Sequence, residues 1–299
     1  MSRRLIAAVV AVLALTACGE DGTTPGATAT TPPATQTPSA TPSATASASV
    51  SPSPTATSTE KMRVPVYYLG GTQDRPVLFR EFRSVPKSTG VVNAALDAML
   101  HLAPSDSDYY SLWPSGTKIA GIATSGAVAT VDLSANARSV KTTRAMELAS
   151  LQQLVHTVTA AAPSITTVRL RFDGKTEPTL WGRVDTSTTL KRAAQIDTIA
   201  PIWVVEPALN AKVTRKFTVT GTAAVFEATV SWAVTRPGSS TQLAHGFVTA
   251  TNGAPARGNF TVNVTLPAGT TGDVVFTAWE SSAEDGRVTF PDSKTYRVG

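Results

Sequence analysis

TRAMELASLQQLVHTVTAAAPSITTVRLRFDG, residues 143–174, holds a helical and a strand pattern back to back. Leu148, Leu151, Val155, Val158 and Ala162 recur at helical spacing with Leu154 widening the stripe, so a helix is expected from about Thr143 to Ala162. Pro163 closes it. Ile165 to Asp173 then alternates, with Val168, Leu170 and Phe172 on one face and Arg169, Arg171 and Asp173 on the other, before Gly174 turns the chain. A helical period that hands over to a strand period places this half of the chain among sheets with helices packed on one side.

Toward the N-terminus the same alternation of patterns continues. Val64 to Leu69 is a β-rich run ended by Gly70-Gly71, and a second run follows at Val77 to Val85. Ser88-Thr89 can cap a helix from Val91 to Leu102, where Val92, Ala95, Leu96, Met99 and Ala103 share a face and Pro104 marks the stop. Strands are expected at Lys118 to Thr124 and Ala127 to Leu133 around a tight turn at Ser125-Gly126. A last strand at Leu180 to Val184 completes β-β-α-β-β-α-β, an antiparallel or mixed sheet spanning residues 62–185. Residues 186–200, with Lys191-Arg192, read as an interdomain connection containing one helical turn.

From Pro201 onward no useful helical period appears. Seven short strands are expected, at Ile202 to Val205, Lys216 to Thr220, Phe226 to Thr235, Leu243 to Thr251, Asn259 to Leu266, Asp273 to Glu280 and Thr295 to Val298. In the clearest, Phe260, Val262, Val264 and Leu266 fall on one face. Residues 201–299 are therefore expected to be an all-β sandwich with aromatics such as Phe226, Trp232 and Phe276 at its centre. The whole folded part is α+β, a sheet-and-two-helix module followed by a sandwich.

The 299 residues carry a formal charge of +5, and removing Arg3 and Arg4 with a leader lowers the basic count from 26 to 24 against 21 acidic residues. That balance does not argue for nucleic acid as a partner. Ahead of the folded part, Arg3-Arg4, the apolar run Leu5 to Leu15 and the small residues Thr16-Ala17 precede the single cysteine, Cys18. Leu15-Thr16-Ala17-Cys18 resembles a bacterial lipobox, which implies cleavage after residue 17 and acylation of Cys18. An ordinary secretory signal or a buried thiol is the alternative. Residues 18–61 are expected to form a lipidated, disordered spacer, since Gly22 to Thr59 is almost wholly Thr, Ser, Ala and Pro. Such a spacer reaches about 35–40 Å as a coil and roughly 140 Å in polyproline II. The expected location is the extracytoplasmic face of the cell membrane, held there by lipid.

Two further resemblances cover the folded part. Val66 to Leu69, Ala94 to Pro104, Pro114 to Lys118, Val131 to Ser134, Leu151 to Thr159 and Val168 to Gly174 look like the GerM-type domain of bacterial sporulation and spore-germination proteins. That resemblance implies an assembly module related to ring-building folds, with no catalytic motif to transfer. It departs from the pattern at His156, where relatives tend to carry tyrosine. Ile202 to Pro207, Phe217 to Gly221, Val225 to Ala228, Gly258 to Phe260 and Glu280 to Gly286 resemble the immunoglobulin-like domain of spore-germination proteins, which is often joined to a GerM-type domain within a lipoprotein. An Ala/Thr/Val/Arg-rich composition would also suit a non-sporulating actinobacterium.

Candidate sites are sparse. Tyr109, Tyr110 and Trp113 between helix and hairpin are candidate contacts for a sugar ring or partner, with a loop folded back on the core as the plainer reading. His101, His156 and His245 lie on different elements without a zinc spacing, and His156 is read as solvated beside Gln152, Gln153 and Thr159. Glu280, Glu284 and Asp285 are read as a structural turn rather than a calcium loop. No nucleophile elbow is present, and no metal or cofactor is expected. The expected function is a non-enzymatic envelope module that binds other cell-envelope proteins, with a peptidoglycan-binding protein or hydrolase as the alternative.

Overall fold

The computed structural model describes residues 60–87 and 90–299. The readings at Cys18, along the spacer through residue 59 and at the Ser88-Thr89 cap lie outside those residues.

Strands β1 (Lys61–Gly71) and β2 (Pro76–Pro86) form an antiparallel hairpin. Val64 to Gly70 of β1 are buried without interruption, because alternate residues serve different apolar clusters. Val64, Val66 and Tyr68 join the main core, while Tyr67 and Leu69 pack with Leu78, Met146 and Ile199. Helix α1 (Val91–His101) follows, then β3 (Ile119–Ser125), β4 (Val128–Leu133), helix α2 (Arg144–Ala161) and β5 (Thr167–Phe172). β3 runs antiparallel to β4 and β4 parallel to β5, so the expected mixed sheet is present. The β1-β2 hairpin is not hydrogen-bonded into it and forms a second sheet, with the free edge at Leu69 exchanging both backbone bonds with Tyr110 at 2.8 Å.

Two local expectations fail for identifiable reasons. Leu180 to Val184 forms no strand, because the buried Glu147 carboxylate takes the backbone N–H groups of Trp181, at 2.7 Å, and Val184, at 3.1 Å. Leu148 does not belong to the buried stripe of α2 and is exposed. The helix is enclosed on almost every side, including Ser150, Gln152, Gln153, His156, Thr157 and Thr159. Its start is as expected, with the Thr143 hydroxyl accepting from the Met146 N–H at 3.3 Å.

The C-terminal half contains β6 (Ile202–Glu206), β7 (Lys212–Val213), β8 (Lys216–Ala223), β9 (Thr229–Thr235), β10 (Gln242–Thr249), β11 (Gly258–Thr265), β12 (Gly272–Ser281) and β13 (Val288–Val298). They make two sheets, in the orders β11-β8-β6 and β10-β9-β12-β13-β7. Phe260, Val262, Val264 and Leu266 are buried together as their alternation requires, and the rings of Trp232 and Phe276 stack with centroids 6.0 Å apart. Phe226 is not at the centre: it is 64% exposed in a short 3-10 turn, Phe226–Ala228, that precedes β9. β13 begins seven residues before the expected Thr295, and that extension carries the joint described below.

Gly221 lets the sandwich close. A Cβ there would lie 2.2 Å from Cζ of Phe260 and 2.6 Å from the carbonyl oxygen of Trp203. Gly221→Ala is therefore expected to destabilise by about 2 kcal/mol or more, since backbone and a buried ring must both shift. Thermal unfolding measures this, and a variant as stable as the parent would contradict the packing.

Candidate functional site

The densest polar chemistry of the described residues lies where the two halves meet. β13 alternates, so Val298 and Tyr296 on its inner face put Lys294 and Asp292 inward as well, and all four are buried. Opposite them the loop after α1 presents Asp106 and Tyr109. Lys294 Nζ donates to Asp106 Oδ2, and to the Tyr109 hydroxyl at 3.1 Å. The Tyr109 hydroxyl donates to Asp292 Oδ1 at 3.1 Å, while Asp292 Oδ2 accepts from the Val204 N–H at 2.6 Å. Ser293 adds a bond to Asp108 at 3.2 Å. One ammonium thus faces two carboxylates, and all three side chains are buried. Burial pushes the Asp292 carboxyl up to about 7, against the pull of Lys294. Burial and the adjoining Asp292 also push the Tyr109 phenol far above its ordinary range.

Apolar and cationic contacts extend this joint. The rings of Phe79 and Tyr109 stack at 4.2 Å, and Trp203 of the sandwich belongs to the core of the first half. Arg80 lies over the Trp203 ring at 5.2 Å and Arg75 over Phe290 at 4.3 Å. Ala200 N donates to Leu78 O at 3.0 Å, and Arg257 Nη2 to Ala200 O at 2.7 Å. Residues 57–299 accordingly form one compact unit.

Residues 186–200 are a strap rather than a free connection. Lys191 O accepts from Gln152 Nε2 at 3.1 Å, Ala193 N donates to Gln152 Oε1 at 2.9 Å, and Arg192 Nε donates to Thr159 Oγ1 at 2.6 Å. The single helical turn, Gln195–Thr198, closes the strap. This cover corrects the reading of His156 as solvated: its imidazole is buried against Tyr67, centroids 5.1 Å apart, with neither ring nitrogen hydrogen-bonded. Burial first, and then the Arg192 guanidinium, lower its pKa to about 4.

Of the expected contact aromatics, Tyr109 and Trp113 are buried and Tyr110 is half-buried, its hydroxyl 3.8 Å from Met146 Sδ. Trp113 packs on Trp181 at 5.7 Å. His101 bonds to Asp97 and to Thr117 O, at 3.0 and 2.9 Å, and His245 is exposed on β10, so the three histidines do not converge. Among the described residues, no three of His, Cys, Asp and Glu gather as a metal site. In the acidic turn, Asp285 holds the N–H of Arg287 at 3.1 Å and Glu280 that of Phe226 at 2.8 Å. Asp292 and Lys294 were missed in the sequence, although carrying the alternation back from Tyr296 would have placed both indoors.

Fold and joint define a two-module α+β protein whose modules share one interface. The model of the family described as sporulation and spore germination matches residues 65–178, and that of the immunoglobulin-like domain of bacterial spore germination matches residues 201–287. Residues 65–178 are accordingly a GerM-type domain, followed at residues 201–287 by an immunoglobulin-like spore-germination domain. Among solved structures, it is similar to a candidate lipoprotein of Clostridium perfringens (18% identity, 44% of this chain and 87% of that one, TM-score 0.32). It is also similar to the tandem GerMN domains of the sporulation protein GerM from Bacillus subtilis (16% identity, 44% and 46%, TM-score 0.37). The first GerMN domain of that protein matches at 20% identity over 38% of this chain and 84% of its own, TM-score 0.32. No curated protein matches the chain.

Proposed function

We propose that the chain is a lipid-tethered, extracytoplasmic protein of the cell envelope whose two modules act without catalysis, as one body that binds other envelope proteins. The observation that carries this is the joint: its charged groups are engaged with one another across the two modules, so they hold a geometry rather than await a substrate. The membership in sporulation and germination families supports an envelope role. Anchoring rests on Leu15 to Cys18, with acyl burial at about 0.8 kcal/mol per CH₂. Cys18→Ser is expected to leave uncleaved precursor or release the protein from membranes, and membrane retention unchanged by that substitution would reject the anchor.

The contact surface we assign to partners is the outer edge of β3. A groove of about 630 Å³ runs there between the start of α1, at Gly90 to Asn93, and Ile119, Gly121 and Ile122. An open strand edge beside half-buried apolar side chains suits strand addition. Photo-crosslinking from position 122 in native membranes is expected to trap a discrete protein adduct that Gly121→Pro abolishes. Absence of any adduct above background would remove the main support for this reading.

A further inference from the structure

The outer face of the five-stranded sheet is built from cross-strand rows whose members the pairing register fixes. Phe247 of β10 lies opposite Ser231 of β9, which lies opposite Trp279 of β12. Phe247 is 73% exposed and Trp279 is half-buried, its Nε1 donating to Ser281 Oγ at 3.2 Å. Strands are spaced by about 4.8 Å, so the two aromatic positions stand roughly 10 Å apart with a serine between them. The adjoining row is His245, Ala233, Thr277 and Ser293, and Thr249 faces Thr229 on the other side. Ser231 and Ser281 place their hydroxyls 3.2 Å from each other.

Charge enters only at the margins of this face, and along its β13 side the Asp108 carboxylate accepts from Ser293 at 3.2 Å. At one end Asp273 is paired with Arg297 at 2.9 Å, and at the other Glu280 is engaged by the Phe226 N–H. A face of rings and hydroxyls without free charge between them does not suit an acidic or basic partner. It matches a ligand that is itself neutral, hydroxylated and apolar on the flat side of its rings, which is the chemistry of a pyranose sugar.

We propose that this sheet face is a glycan-binding platform, in which Phe247 and Trp279 stack on two sugar rings of an uncharged polysaccharide while Ser231, Ser281 and Thr277 bond its hydroxyls. The binding goes beyond the protein-assembly reading and uses the opposite module, so each can fail without the other.

Full-length protein in non-ionic detergent would be run in native gels cast with glycol chitin, soluble starch or arabinogalactan. Retardation by at least one polymer is expected, with the apparent dissociation constant raised at least tenfold by Phe247→Ala and by Trp279→Ala. Phe82→Ala, which removes another exposed ring on β2, should change it less than twofold. Soluble oligosaccharides of the retarding polymer should compete better as they lengthen from one sugar to three. Retardation by glycol chitin identifies an amino-sugar polymer of the wall as the source, and retardation by starch or arabinogalactan a neutral hexose or pentose polymer. No retardation by any polymer, or retardation untouched by Phe247→Ala, overturns the platform. So does sedimentation equilibrium showing a dimer that Phe247→Ala dissolves, since the ring then belongs to a contact between two copies.

Discussion

Lys294→Ala is expected to destabilise the protein by about 3–5 kcal/mol, read as a lowered midpoint in denaturant or heat. The reason is electrostatic rather than volumetric. Lys294 carries the ammonium bonded to Asp106, and its loss leaves Asp106 and Asp292 enclosed beside each other with no cation hydrogen-bonded to either. Its Nζ also holds the Tyr109 hydroxyl in position to donate to Asp292, so the chain of bonds across the modules is lost with it. Lys294→Met combined with Asp106→Asn should recover most of the loss, because removing both members of a buried pair is far milder than removing one. If Lys294→Ala unfolded at the parent's midpoint, the ion pair would have no part in holding the modules together.

The second large effect is in the pH dependence, where two buried groups oppose each other. Asp292 has a folded pKa of about 7 against an ordinary 3.8, so between those values the folded state holds a proton that the unfolded state has released. Its contribution is full below about pH 4 and is lost as pH rises through 7. His156 has a folded pKa of about 4 against 6.5, so over nearly the same range the unfolded state binds the extra proton. Its contribution is full above about pH 6.5 and is lost as pH falls through 4. Each slope is up to about 1.4 kcal/mol per pH unit, and the two cancel over most of the window. The parent should therefore be nearly flat between about pH 4.5 and 6.5. Asp292→Asn should leave a stability that rises with pH there, and His156→Phe one that falls. Urea midpoints at half-unit intervals of pH would show it. Profiles for both variants that run parallel to the parent would contradict the placement of these two groups.

Periodicity alone carried the main elements. The helix over Thr143 to Ala162 and the strand over Ile165 to Asp173 lie within two residues of the observed α2 and β5, since both patterns depend on nearest neighbours along the chain. What was not legible depended on which distant segment covers a face. Gln152, His156 and Thr159 look like a solvated side of α2 until residues 191–193 are laid across them. The groups of Asp106 and Asp292 are 186 positions apart along the chain, and no local pattern brings them to one place. Glu147 likewise occupies backbone donors that a strand at Leu180 to Val184 would have needed. On the outer sandwich face, Phe247 and Trp279 belong to unremarkable alternations singly. They become a pair only when the register sets both against Ser231.

Scanning calorimetry of the full chain tests most directly whether the two modules are one body. The joint predicts a single cooperative transition over residues 57–299, with an enthalpy on the order of 170 kcal/mol near 60 °C, and the same scan on Lys294→Ala should split it. Two separate transitions in the parent protein, one per module, would contradict the joint.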